Sequence, residues 1–138
     1  MSFKVIQAGI LTLLQDLGRY GKHNIGLTNG GPLDKYSFNW ANRLLNNDTN
    51  ATALEVSFGG LVLEANIDTQ IAITGGDAEL TINSKPISNW QTHSIKTGDI
   101  ISFGFSKNCT RHYLAVKDGF TIEPMSVSYT HLTLPTKA

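Results

Sequence analysis

The chain has 138 residues, 41% hydrophobic and 16% charged, a balance that excludes intrinsic disorder and fits one domain or part of one. Eleven basic residues offset eleven acidic ones, and a formal net charge of +0 argues against nucleic acid or an anionic membrane as partner. The single cysteine, Cys109, excludes an internal disulfide. No apolar run nears the roughly 20 residues that span a bilayer, and no signal-peptide pattern opens the chain, so it reads as a soluble cytoplasmic protein.

Alternation predicts strands over 3–8 and, after the turn at Gly9, over 11–15. The next stretch, 18–31, is the least regular, with Arg19, Tyr20, Lys22, His23 and Asn24 set among glycines. It is either a plain connection or a functional loop, the commoner role at that length. A helix is predicted over 36–45, capped by Asp34, with Phe38, Ala41 and Leu45 on one face. Asn42 falls beside that stripe, and a half-buried amide there must find partners or cost about 1–3 kcal/mol.

Further strands are predicted over 53–58, 61–65, 69–74, 78–82, 93–95, 100–105 and 111–116. Gly59-Gly60, Gly75-Gly76-Asp77, Asn83-Ser84-Lys85-Pro86, Thr97-Gly98-Asp99 and Ser106-Lys107-Asn108 punctuate them, a regularity that suggests a sandwich or barrel. Glu55 and Ser57 share one strand face and Leu54, Val56 and Phe58 the other, so Glu55 faces solvent, the commoner case, or a polar lumen. Arg111, Tyr113 and Ala115 oppose His112, Leu114 and Val116; Arg111 with Tyr113 lines a polar cleft or forms a surface rung. His112, among apolar neighbours, reads as a structural histidine, and Trp40 and Trp90 read as packing residues. Neither a phosphate loop, a dinucleotide fingerprint, a nucleophile elbow nor metal-ligand spacing is present, so no metal site is expected.

Gly9-Ile10-Leu11-Thr12, then Gln15-Asp16-Leu17-Gly18-Arg19 and Gly21, resemble the opening motif of the biotin-dependent carboxyltransferase family. That family includes the C-subunit of 5-oxoprolinase and the second subunit of allophanate-hydrolase-type proteins, and it is similar to the carboxyltransferase region of urea carboxylase. The resemblance continues through Gly26, Pro32-Leu33-Asp34, Ser37, Ala41-Asn42, Asn47, Ala53-Leu54-Glu55 and Gly60. It then takes in Ile73-Thr74-Gly75, Gly98-Asp99, Arg111 and Tyr113-Leu114-Ala115-Val116. The chain departs from the pattern at Asn29-Gly30-Gly31-Pro32-Leu33-Asp34, where the family usually has Ser-Gly-x-Met-Asp, and at Gly59-Gly60, where Gly-Pro is frequent. Family members are also considerably longer, with two related β-barrel-like halves.

The resemblance implies a mainly β fold with one short helix, a cyclophilin-like β-barrel that is incomplete here. Residues 1–124 would be the N-terminal portion of the carboxyltransferase-type domain. Residues 125–138 would be a non-native tail resembling a translated sequencing adapter, or else a divergent final strand. Family reactions move a carboxyl group from carboxybiotin to an amide-like nitrogen, or open 5-oxoproline at the expense of ATP. The substrate would be a small amide or lactam, and the partner a sister subunit. ATP would be bound at the level of the assembled complex, and biotin would enter on the carboxyltransferase reading. Asp16 and Arg19 are the expected catalytic pair, Arg19 orienting an anionic group while Asp16 positions it or accepts a proton; an ion pair pinning the loop is the structural alternative. Asp34, Asn42, Glu55, Arg111 and Tyr113 are the expected substrate-binding residues, with helix capping a competing role for Asp34. A regulatory protein that pairs with a sister subunit inhibiting a sensor kinase is the rival function. On either reading the chain alone is expected to be inactive.

Overall fold

The computed structural model describes residues 2–16, 32–76, 78–105, 110–120 and 132–136. In chain order they form β1 (Ser2–Ala8), β2 (Leu11–Gln15), α1 (Lys35–Leu44), β3 (Ala53–Ser57), β4 (Leu61–Ala65) and β5 (Thr69–Gly75). There follow β6 (Leu80–Ile82), β7 (Lys85–Pro86), β8 (Gln91–Ile95), β9 (Ile100–Phe103), β10 (Arg111–Val116) and β11 (Leu132–Pro135). The strands pair antiparallel in two sheets, ordered β11-β1-β4-β9-β6-β7 and β2-β3-β10-β5-β8.

Strand alternation explains the layering. Leu54 and Val56 of β3, Ile71 and Ile73 of β5, and Leu114 and Val116 of β10 turn one way. There they meet Phe3, Leu61, Leu63 and Ile101 of the six-stranded sheet in one core. The intervening residues, Ala53, Ala72, Tyr113 and Ala115, turn the other way and receive Phe38, Ala41 and Leu45 of α1. Three of those four sheet positions are alanine, which leaves room for the helix to lie close. The five-stranded sheet is therefore a middle layer, and all five residues of β3 are buried.

The mainly β character and the single short helix are as expected, but the barrel is not. Closure needs hydrogen bonds between the first and last strands of a sheet. Here β2 and β8 bound one sheet, β11 and β7 bound the other, and both stay open. The reason lies in the chain's crossings between layers. β3 and β4 are consecutive but do not form a hairpin: Phe58, Gly59 and Gly60 all take positive φ (66°, 73° and 83°) and carry the chain from one sheet to the other. A Cβ on Gly59 would lie 1.9 Å from the Gly104 carbonyl oxygen, so this corner closes only with glycine. It also accounts for the departure at position 60, since proline is confined to negative φ.

Helix α1 begins where the sequence places its cap. Asp34 Oδ1 accepts from Ser37 N–H at 3.0 Å and Oδ2 from the Ser37 hydroxyl at 2.6 Å. At the other end Lys117 Nζ donates to Leu45 O at 2.7 Å, satisfying one of the carbonyls a helix terminus leaves open. Among the described residues no helix is long and apolar enough to cross a membrane.

Candidate functional site

The buried face between the middle sheet and α1 is apolar along its middle, with Asn42 at the far end of the helix and a polar cluster where the helix begins. There Glu55, 3% exposed, stands on β3 opposite Tyr113 of β10 and Leu13 of β2. Its Oε2 accepts from the Tyr113 hydroxyl at 2.6 Å and from Leu33 N–H at 3.0 Å. Its Oε1 accepts from Gln15 Nε2 at 3.4 Å. The Tyr113 oxygen in turn accepts from Asp34 N–H at 2.9 Å. A carboxylate removed from water needs such a set of donors. Burial, reinforced by the hydrogen bond to Glu55, holds the Tyr113 phenol's pKa well above its ordinary value, with Asp34 N–H pulling back. At neutral pH Tyr113 is a fixed donor and not a base.

This network joins Gln15, the last residue of β2, to Leu33 and Asp34, which lead into α1. Asp16 follows Gln15 and is itself buried. Segment 17–31 therefore leaves and re-enters the described structure beside one carboxylate. Arg19 belongs to that segment and lies outside the described residues, as do Cys109, His23 and His131.

Of the expected binding residues, the structure brings Asp34, Glu55 and Tyr113 together and keeps Asn42 apart. Eight residues separate Asp34 from Asn42, about 12 Å along the helix. Asn42 Nδ2 donates to Ala51 O at 2.9 Å and its Oδ1 accepts from Asn47 Nδ2 at 3.1 Å. Asn47 Nδ2 also donates to Val116 O at 2.8 Å, so these two amides latch the far end of α1 to β10. Arg111 shares the face of Tyr113, about 7 Å along the strand, and pairs with Ser57. Its buried Nε has no hydrogen-bond partner among the described residues. His112 faces the core instead, fully buried, with Nε2 2.6 Å from Gly76 O.

Two participants escaped the sequence reading. Gln15 carried a usable signal, because alternation puts it on the same face of β2 as Leu13, the cross-strand partner of Glu55. Leu33 contributes only its backbone N–H, which no residue type announces. Expecting Glu55 to face solvent was reasonable for an isolated strand, but α1 covers that face.

The described residues do not by themselves fit ATP or biotin. A triphosphate seeks free backbone N–H groups at a helix N-terminus or cationic forks. At α1 the carboxylate of Asp34 already occupies Ser37 N–H, so that donor is not free for a phosphate. A biotin ureido group needs unspent donors and acceptors, whereas those of Glu55 and Tyr113 are committed to each other and to the backbone. Among the described residues no group of three or more His, Cys, Asp or Glu is arranged to hold a metal.

Comparison with known proteins matches residues 25–136 to the family described as "Carboxyltransferase domain, subdomain A and B". Urea amidolyase of Lachancea kluyveri is 36% identical over 122 residues, 88% of this chain and 7% of that protein. The 5-oxoprolinase C-subunit of Escherichia coli K12 is 34% identical over 122 residues, 88% of this chain and 39% of that protein. The crystal structure of Kluyveromyces lactis urea carboxylase superposes with a TM-score of 0.85 at 29% identity, covering 99% of this chain and 14% of the other. The chain thus spans well under half the length of these relatives. It belongs to the biotin-dependent carboxyltransferase family that includes urea amidolyase and the 5-oxoprolinase C-subunit, to which it corresponds over their subdomain A and B region.

Proposed function

We propose that this chain supplies one wall of a catalytic cleft in a cytoplasmic 5-oxoprolinase or carboxyltransferase assembly acting on a small amide or lactam. The observation that supports the reading is the convergence of Gln15, Leu33 and Asp34, which flank the segment bearing Arg19, on Glu55 and Tyr113. In this reading Arg19 and Arg111 hold an anionic or polarised group of the substrate, and Asp16 positions it or takes its proton. Glu55, Tyr113 and Asp34 form the floor, and Asn42 fixes the helix that roofs it. ATP or carboxybiotin would be held elsewhere in the assembly and would supply the phosphoryl or carboxyl group. Residues 1–124 are the functional portion of the proposal, and 125–138 are dispensable to the chemistry.

The test is reconstitution. The chain, restored to the length of its relatives and expressed with its neighbouring subunits, is assayed for ATP-dependent release of glutamate from 5-oxoproline. A parallel assay follows biotin-dependent carboxylation of an amide. Turnover in one assay is expected, with Arg19→Ala lowering it by roughly a hundredfold or more. Absence of turnover in both removes the proposal, and an active complex indifferent to Arg19→Ala removes the site assignment.

A further inference from the structure

The outer face of α1 differs in character from its buried face. Tyr36, Trp40 and Arg43 recur at spacings of four and three, which places them on one stripe of the helix. The Tyr36 ring lies 6.3 Å from that of Trp40 and 6.0 Å from that of Trp90, which reaches over from the segment between β7 and β8. The Arg43 guanidinium sits over Trp40, 4.8 Å from the ring centroid. Tyr36 is nevertheless 68% exposed and Trp90 38% exposed.

Trp90 is held firmly for so exposed a ring. Its φ is +60°, a conformation that side chains other than glycine seldom adopt. Its backbone N–H donates to Ile73 O at 2.7 Å, and its indole N–H donates to Gly75 O at 2.9 Å. Two hydrogen bonds to β5 thus fix a partly exposed aromatic ring in a sparsely populated backbone conformation. Rigid Tyr and Trp side chains beside an Arg are the composition of binding hot spots, since little rotamer entropy remains to be lost on contact.

Charge selects the occupant. Over Lys35–Leu44 the helix carries Lys35 and Arg43 and no acidic residue, and the carboxylate of the capping Asp34 is turned onto the Ser37 N–H and hydroxyl, although the chain as a whole has a net charge of +0. A second copy of this chain docking by the same face would set these cations against themselves. We infer that the Tyr36–Trp40–Trp90 face, with Lys35 and Arg43 at its rim, is the docking surface for a sister subunit that presents an apolar knob ringed by carboxylates. The inference rests on the assembly reading above and assigns that assembly a contact surface.

The chain contains two tryptophans, and both lie in this face, so its intrinsic fluorescence reports on this surface. The full chain is titrated with the remaining subunits of its own assembly, with emission and acrylamide quenching recorded alongside complex mass from light scattering. Binding is expected to shift the emission to the blue and to protect it from quencher. Tyr36→Ala and Arg43→Glu are expected to weaken association about tenfold or more, with melting temperatures close to that of the parent. Association is also expected to weaken as salt rises from about 50 to 500 mM. Subunits that do not bind, that bind without altering the fluorescence, or that bind both variants as tightly as the parent would overturn the inference. The turnover assay on the same complexes keeps the two proposals separate. A complex that buries the tryptophans yet lacks turnover sinks only the catalytic reading, and an active complex indifferent to both variants sinks only the surface.

Discussion

Tyr113 and Glu55 depend on each other in a way that neither residue type reveals by itself. The phenol satisfies a carboxylate that water does not reach, and the carboxylate makes the phenol's proton hard to remove. Tyr113→Phe keeps the ring's T-shaped contact with Phe38, whose centroid is 6.0 Å away, but leaves Glu55 Oε2 short of a donor and Asp34 N–H without its acceptor. The expected loss is about 1–3 kcal/mol, read as a lower urea midpoint at unchanged m-value. The pKa shift has a signed consequence. Because Tyr113 binds its proton more tightly folded than unfolded, the associated stability is complete below the ordinary tyrosine value near 10 and is lost as pH rises above it. An absorbance titration of tyrosinate on the native protein is expected to leave Tyr113 un-ionised at the ordinary tyrosine value near 10. Ionisation of Tyr113 near that value in the folded protein would refute the burial argument.

At the level of elements, the corner at Gly59 is the least replaceable joint. Gly59→Ala places a methyl group against the Gly104 carbonyl at a φ of +73°, two penalties that do not relieve each other. Destabilisation of about 2 kcal/mol or more is expected, well beyond what alanine costs at Gly98, where a Cβ would meet nothing within 4 Å. The turn between β8 and β9 makes a separate prediction. Asp68 accepts from Thr97 N–H and Asp99 from Lys96 N–H, each at 2.8 Å, and these bonds hold both carboxyls below their ordinary pKa. Their contribution is present above the unfolded carboxylate value near 4 and fades as pH falls through the lower folded values. Amide exchange at Lys96 and Thr97 is therefore expected to lose protection in acid before that of β5 does. Much of this level was legible. Alternation gave the faces of β3 and β10, and Asp34 marked the start of α1 within one residue. Where β3 and β4 would go was not legible, because Gly59-Gly60 marks a turn without saying that the chain passes there from one sheet to the other.

For the molecule as a whole, the ordering of layers decides which positions matter. Ile73 lies in the doubly covered sheet and touches the shared core, so Ile73→Ala is expected to cost about 2–5 kcal/mol in chemical denaturation. Gln91→Ala, exposed on the edge strand β8, is expected to stay within about 0.5 kcal/mol. The sequence could place hydrophobic and polar faces on each strand, but whether a sheet has one neighbour or two depends on contacts distant along the chain. That is why Glu55 reads as a surface carboxylate in its own strand and becomes a buried one once α1 is laid across it.

The shared anchoring of Gln15 and Leu33 at Glu55 has a consequence for how the protein can diversify. Since the residues flanking 17–31 meet at one carboxylate, the bonds that hold β2 to the start of α1 do not run through that stretch. The scaffold can thus accept insertions where its proposed substrate contacts lie while holding its hydrophobic architecture constant, which is a ready route to new specificity.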